Sequence, residues 1–196
     1  MTTRSFIARP DGPGYHGIYV HHDGVPSHRL PLLLAAYQGR FNRDVDAMAR
    51  HLVDDVIVGW DELGSDLLDG TPPAIVAFLT GGEQWSSRTL DHLITPDGSP
   101  PEQMTVTADS ETHQDLQWGY VLHPHGIEVI NLMYDVDGPI VGWDTDPRTK
   151  FSNNTAYWVP NGPVPVTALP PTPLPPTTAR ATALPQADAA RPATRR

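Results

Sequence analysis

The sequence predicts an α+β fold: an antiparallel sheet, made of an N-terminal hairpin and a C-terminal four-strand meander, with helices inserted between these parts and packed on one face. Three observations lead to this class. Two strand-like segments come first, segments with helical periodicity follow, and four more strand-like segments come after them. Hydrophobic residues make up 39% of the 196 residues, so the chain can bury a substantial core.

The N-terminal hairpin is predicted from two short apolar runs and the turn between them. The first run is Phe6-Ile7-Ala8, and the second is the segment 17–22, which is rich in β-branched and aromatic residues. Between them, Asp11-Gly12-Pro13-Gly14 is a strong turn signal. We expect the second strand to end at Asp23-Gly24.

The middle of the chain has the periodicity of helices. Pro31 suits the first turn of a helix, which ends at about Gln38, before Gly39. A second helix is predicted over 43–56, where apolar residues recur at helical spacing: Val45, Met48, Ala49, Leu52, Val53 and Val56. Two shorter helical segments are expected at 61–68 and 73–79.

The second half returns to strand patterns, which predict the four strands of the meander at 104–108, 116–123, 127–134 and 139–143. The phrase His123-Pro124-His125-Gly126 fits a hairpin loop, because proline suits the second position of a type I turn and glycine tolerates the left-handed conformation. The predicted domain therefore closes with consecutive antiparallel strands.

The composition changes after Val159. Ten of the 22 prolines lie beyond it, and no aromatic residue follows Trp158, so residues 1–159 are predicted to form a single domain and residues 160–196 a disordered, proline-rich tail. The tail is interpreted as a tether, with docking of its Pro-x-x-Pro phrases into an aromatic groove as the alternative.

Charge and composition limit the class of protein. The net charge is −10; the tail carries four arginines and one aspartate, so residues 1–159 carry −13. An acidic domain repels phosphate backbones, which disfavours direct nucleic-acid binding. The absence of cysteine excludes disulfides and zinc–thiolate sites. No apolar run is long enough for a membrane span, so we expect a cytoplasmic protein.

Histidines near two strand-ending turns form the candidate site. The tentative metal ligands are His21, His22, Asp23, His28, His123 and His125, with Asp144 and Asp146 as further candidates. Imidazole and carboxylate are ligands of zinc, and a zinc-bound water is a nucleophile near neutral pH. The site requires that folding bring both turns into one pocket. Two ordinary turns with polar tips are the alternative, since no familiar spacing such as His-Glu-x-x-His occurs.

Other chemistry is possible for the same residues. A histidine oriented by an aspartate can act as a general base for Ser27 or Thr145, and removal of Met1 would expose Thr2 as an N-terminal nucleophile. The helical region also has a cluster of acids, which is a solvated face or a docking surface for a basic protein: Asp54, Asp55, Asp61, Glu62, Asp66 and Asp69.

Several segments of residues 1–159 carry a resemblance to a group of proteins. They are Thr3-Arg4-Ser5-Phe6-Ile7-Ala8, Gly17-Ile18-Tyr19-Val20-His21-His22-Asp23-Gly24, Pro26-Ser27-His28, Trp118-Gly119-Tyr120-Val121-Leu122-His123-Pro124-His125-Gly126-Ile127-Glu128-Val129-Ile130 and Val141-Gly142-Trp143-Asp144-Thr145-Asp146-Pro147. This pattern resembles a group of small uncharacterised proteins of high-GC filamentous bacteria and their mobile elements. The resemblance implies an accessory role and assigns no activity to any residue.

Two functional hypotheses follow from the sequence. The first is a non-enzymatic accessory protein that contacts a protein partner, because no specific catalytic motif is present and the domain is acidic. The second is a small metal-dependent hydrolase, with a divalent metal such as zinc as its cofactor. Its ligands would be His21 or His22, Asp23, His123 and His125, brought together from the two turns.

Overall fold

In a computed structural model, residues 3–81, 85–91, 102–109, 115–133 and 138–170 are described. They combine one eight-stranded mixed sheet, a two-stranded sheet and helices, which confirms the α+β class. The strands are β1 Ser5–Asp11, β2 Gly14–Val20, β3 Trp60–Glu62, β4 Leu90–Asp91, β5 Thr105–Thr107, β6 Trp118–His123, β7 Gly126–Asn131, β8 Ile140–Gly142, β9 Lys150–Phe151 and β10 Val166–Ala168.

The helices lie mainly between β2 and β5. They are α1 Pro26–Gln38, α2 Val45–Ala49, which continues as a π-helical turn over Arg50–Asp54, and α3 Pro73–Thr80, with 3-10 turns at Ser65–Leu68 and Thr155–Tyr157. No helix in the described ranges is long and apolar enough to cross a bilayer.

The large sheet has the order β4-β3-β2-β1-β6-β7-β8, with β5 also paired to β2. The prediction of a purely antiparallel sheet is wrong, because β1 runs parallel to β6 and β2 parallel to β3. Parallel neighbours need a long crossover connection, and the helical segment from α1 to Asp54 supplies one between β2 and β3. The N-terminal hairpin therefore lies in the middle of the sheet.

The predicted four-strand meander is only partly present. Strands β6, β7 and β8 are consecutive antiparallel neighbours. The strand expected to precede them, β5, pairs with β2 instead, with Gly17 opposite Val106. Its position shows that the chain crosses from one side of the central hairpin to the other before β6 begins.

Two helical predictions need correction. α1 begins at Pro26, five residues earlier than predicted, and Pro31 lies inside it. Pro26 supplies the pre-set dihedral of the first turn, and Pro31 removes one main-chain hydrogen bond without ending the helix. Residues 61–68 are not one helix, since β3 occupies the start of that segment and a 3-10 turn, Ser65–Leu68, its end.

The core covers both faces of the sheet. Ile7, Ile18 and Tyr120 are buried on the side that receives α1 and α2, while Phe6 and Val121 are buried on the opposite side. This alternation is the period of two expected along a strand. The buried leucine, alanine, valine and methionine residues of α1, α2 and the π-helical turn belong to the first cluster and none to the second, so these helices pack on one face.

The chain keeps its contacts with the domain beyond Val159. The Ser152 N–H donates to the Pro165 carbonyl, and β10 pairs with β9. Val164 packs against the helix-side core. Residues 171–196, the larger part of the predicted tail, lie outside the described residues, and their disorder stays a prediction.

Candidate metal centre

The two histidine-bearing turns lie at opposite ends of the sheet. Ser5 of β1 is level with Val20 at the end of β2 and with Trp118 at the start of β6. His21 therefore lies near the start of β6, whereas His123 ends that strand, about 17 Å away at about 3.3 Å per residue. The expected convergence of both turns into a single pocket does not occur.

At the first turn, two histidines meet a carboxylate from the neighbouring strand. Each of His21, His22 and Asp61 offers one ligand atom, and these atoms lie within 4.8 Å of one another. His22 Nε2 is 3.9 Å from Asp61 Oδ1, and the two imidazole rings are 4.5 Å apart in an edge-to-face arrangement. All three side chains are partly buried. The group can hold a divalent metal after a small contraction toward an ion.

Strand pairing brings these three residues together. The N–H groups of His21 and His22 donate to the carbonyls of Trp60 and Asp61, at 2.9 and 3.0 Å. Because regular β-structure ends at Val20, the alternation of side chains does not separate the two histidines onto opposite faces. Sequence reasoning assigned Asp61 only to the acidic cluster and missed it as a ligand.

Tyr19 supports the ring of His21. Its hydroxyl and His21 Nδ1 share a hydrogen bond of 2.6 Å. Burial raises the pKa of the Tyr19 phenol, so the group is neutral at physiological pH. Metal-bound histidines commonly donate their second ring N–H to a neighbour, which fixes the tautomer and the ring orientation. Tyr19 can accept such a bond when His21 binds an ion through Nε2.

Arg29 supports the main chain of His22 from the helix side. Its guanidinium is fully buried, and Nη2 donates to the His22 carbonyl at 2.7 Å. Burial lowers the pKa of Arg29 to about 10, against the attraction of Tyr120, Asp23 and Glu62. Arg29 thus remains a cation at neutral pH, and its hydrogen bond to the His22 carbonyl holds this turn against α1.

Two predicted ligands near this turn do not join the group. Asp23 is exposed and has a left-handed backbone, with φ of 55°, which suits a turn residue. His28 lies in the first turn of α1, where its ring packs against Trp85 at a centroid distance of 4.3 Å. Neither belongs to the set whose ligand atoms lie within 4.8 Å of one another.

At the opposite end of the sheet, the contacts of His123 stabilise the β6–β7 hairpin. His123 Nε2 is 2.7 Å from Glu128 Oε2 across the β6–β7 hairpin, and the Trp143 indole N–H donates to the His123 carbonyl at 2.8 Å. His125 is exposed at the tip of the turn. These contacts stabilise a hairpin and do not gather a third ligand among the described residues.

The two further aspartate candidates are paired with arginines. Arg43 contacts Asp144 at 2.8 Å on the surface. Arg148 holds Asp146 through several hydrogen bonds, the shortest 2.6 Å, and this contact lowers the pKa of the Asp146 carboxyl. Both carboxylates are therefore engaged in salt bridges and neither joins the metal-ligand set.

Two of the three alternative nucleophiles, Ser27 and Thr145, lie in segments held by structural hydrogen bonds. Ser27 exchanges two hydrogen bonds with Asn153, through its N–H and its hydroxyl, each at 2.9 Å. Thr145 lies at the turn that follows β8, where its carbonyl accepts a hydrogen bond from Gln38. Thr2 lies outside the described residues.

At least four of the six acids in the cluster have partners within the chain, counting Asp61 beside His22. Asp54 pairs with Arg9 at 2.7 Å, Asp66 accepts hydrogen bonds from Thr89, and Glu62 accepts one from Ser86. These acids join separate segments of the fold. They are less available to a basic partner than a free acidic face would be.

Comparison with protein-family models, with curated proteins and with solved structures finds no match to this chain.

Proposed function

We propose that this protein is a metal-binding accessory protein in which His21, His22 and Asp61 hold a divalent transition metal. The convergence of these three side chains is the observation that carries the proposal. The resemblance of the sequence to small proteins of mobile elements supports an accessory role. A cytoplasmic location and a protein partner are further parts of this proposal. The coordination positions left open by three ligands would accept water or a side chain of that partner.

The donor set favours zinc. Two imidazole nitrogens and one carboxylate oxygen suit zinc and related first-row metals, whereas magnesium and calcium prefer ligand sets made of oxygen. Two contacts support the ligands: the Tyr19 hydroxyl bonds the His21 ring and orients it, and Arg29 holds the main chain at the His22 carbonyl. The fold thus partly orients the ligand side chains before a metal binds.

The exposure of the site supports binding more than catalysis. The side chains of His22 and Asp61 are 40% and 37% exposed. Enzymes usually enclose the reacting atoms, because exclusion of water strengthens electrostatic interactions. A half-exposed ligand set suits a metal that a second molecule reaches directly.

The test is a zinc titration of metal-stripped protein by calorimetry. We expect one zinc per chain and a rise in melting temperature that a chelator reverses, since a ligand bound only to the folded state stabilises it. D61N should weaken zinc binding strongly, while D55N, at an exposed aspartate in the same acidic region, should leave it unchanged. Equal binding by D61N and wild type would contradict the proposal.

A metal-dependent hydrolase is the second candidate. Catalytic zinc sites commonly have three protein ligands and one position for water, which is the number of ligands gathered here. The test is hydrolysis of 4-nitrophenyl acetate and bis(4-nitrophenyl) phosphate by the zinc-loaded protein and by D61N. Turnover that is lost in D61N supports the hydrolase. Zinc binding without turnover excludes it for these substrates and leaves the accessory role.

A further inference from the structure

A cavity separate from the metal centre lies where five parts of the chain meet. Its volume is about 390 Å³, within the range of small-molecule sites. The walls come from the first turns of α1, the end of α3, Trp85, and the segment 147–151 with Thr167 of β10. Because these parts are distant in sequence, the cavity is a product of the tertiary fold.

One side of the cavity is apolar. Pro31, Phe78, Leu79, Trp85 and Phe151 line it. Phe78 is 38% exposed, whereas Val76 and Leu79 of the same helix pack against the core. An apolar ring or chain placed here would cover this surface and gain the free energy of burial.

The polar lining is cationic although the protein is acidic. Among the described lining residues there are two cations, Arg148 and Lys150, and no carboxylate. Arg148 is already bound to Asp146. Lys150 is exposed and makes no ion pair with any described residue, so its ammonium group is available.

Lys150, and not the start of α1, is the expected contact for an anion in this cavity. At the first turn of α1, the Ser27 N–H donates to Asn153 Oδ1 and the His28 N–H donates to the Val25 carbonyl, so these main-chain groups are already engaged.

We propose that this cavity binds a small organic monoanion, a carboxylate with an aromatic or aliphatic body. The body would lie against Phe78 and Trp85, and the carboxylate would pair with Lys150. This site is independent of the metal centre, since none of its lining residues belongs to the His21, His22 and Asp61 group.

The test uses two probes of the same shape, naphthalene-2-carboxylate and naphthalene-2-carboxamide, titrated into the full chain by calorimetry. We expect saturable binding of the carboxylate and weaker binding of the carboxamide. K150Q should weaken the carboxylate about fivefold, the upper range for an exposed ion pair, and leave the carboxamide unchanged. F78A should weaken both probes.

R43Q is the matched control, because it removes one positive charge at a surface arginine outside the cavity. It should bind both probes like the wild type. Three results would overturn the proposal: no saturable binding of the carboxylate, equal affinity for the two probes, or an equal loss in K150Q and R43Q. Zinc-loaded and metal-free protein should give the same affinities, which separates this site from the metal centre.

Discussion

The two histidine turns look alike in sequence and differ in what the fold places beside them. At the β2 end, His22 Nε2 lies 3.9 Å from a carboxylate contributed by the neighbouring strand β3. At the β6 end, His123 Nε2 lies 2.7 Å from Glu128, the carboxylate of its own hairpin. The first arrangement leaves room for an ion between the groups, while the second is already closed by a hydrogen bond.

This difference shows that the local sequence does not decide which histidine is a ligand. Both turns have two nearby histidines and an aspartate or glutamate within reach. Only the first has a second imidazole directed to the same carboxylate, because β2 pairs in parallel with β3 and brings Asp61 to the turn. Ligand sets of this kind arise from strand pairing.

The largest expected effect is on zinc affinity, and it tests the difference between the two histidine turns. H22A should weaken zinc binding about 100-fold, since it leaves only two protein ligands. H125A should leave the affinity unchanged, because His125 is exposed at the opposite end of the sheet. Calorimetric titration of both variants checks this. Similar losses in H22A and H125A would mean that zinc binds nonspecifically to exposed imidazoles.

A second experiment tests the support of the ligand ring. Y19F removes the hydroxyl that is bonded to His21 Nδ1, and we expect zinc affinity to fall about tenfold, at the low end for loss of such a contact. Y157F, at an exposed tyrosine, is the control. Both variants should melt close to the wild type in the absence of metal. Unchanged affinity in Y19F would show that the phenol does not orient the ligand.

A substitution in the β6–β7 hairpin should lower the stability of the protein and leave its zinc affinity unchanged. E128Q removes the charge opposite His123, and we expect a loss of about 1 kcal/mol in the free energy of unfolding. E102Q, at an exposed glutamate, should show no loss. Urea denaturation measures both. A loss of zinc affinity in E128Q would show that residues of the second turn contribute to zinc binding.

The smallest effect concerns pH. Arg148 lowers the pKa of Asp146, so the contact stabilises the fold above the ordinary aspartate pKa and this stabilisation is lost as pH falls through the lower, folded value. D146N should therefore be slightly less stable than wild type near pH 7, with the difference disappearing in strong acid. Urea midpoints across pH check the trend. A difference that grows in acid would contradict it.

Local patterns predicted the elements whose signals lie within a few residues. The β1–β2 hairpin, the β6–β7 hairpin and α3 follow from turn chemistry and periodicity. Strands β9 and β10 have two and three residues, too few to show alternation.

The complete metal-ligand group could not be predicted from local sequence patterns, because it depends on which strands pair. His21 and His22 were recognised because imidazole is rare and chemically distinctive. Asp61 was not, because the segment 61–68 suggested a helix and one aspartate among many gives no signal of its own. The pairing of β2 with β3 could not be read from either strand alone.

The central position of β1 has a consequence for folding. Its neighbour β6 begins more than a hundred residues later in the chain, and both faces of β1 are covered in the finished protein. During synthesis, the β1 edge of the β1–β2 hairpin therefore stays unpaired until most of the domain has left the ribosome. Such long-range closure slows folding and exposes an aggregation-prone edge, so nascent chains should depend on chaperones more than a protein of similar size with local contacts.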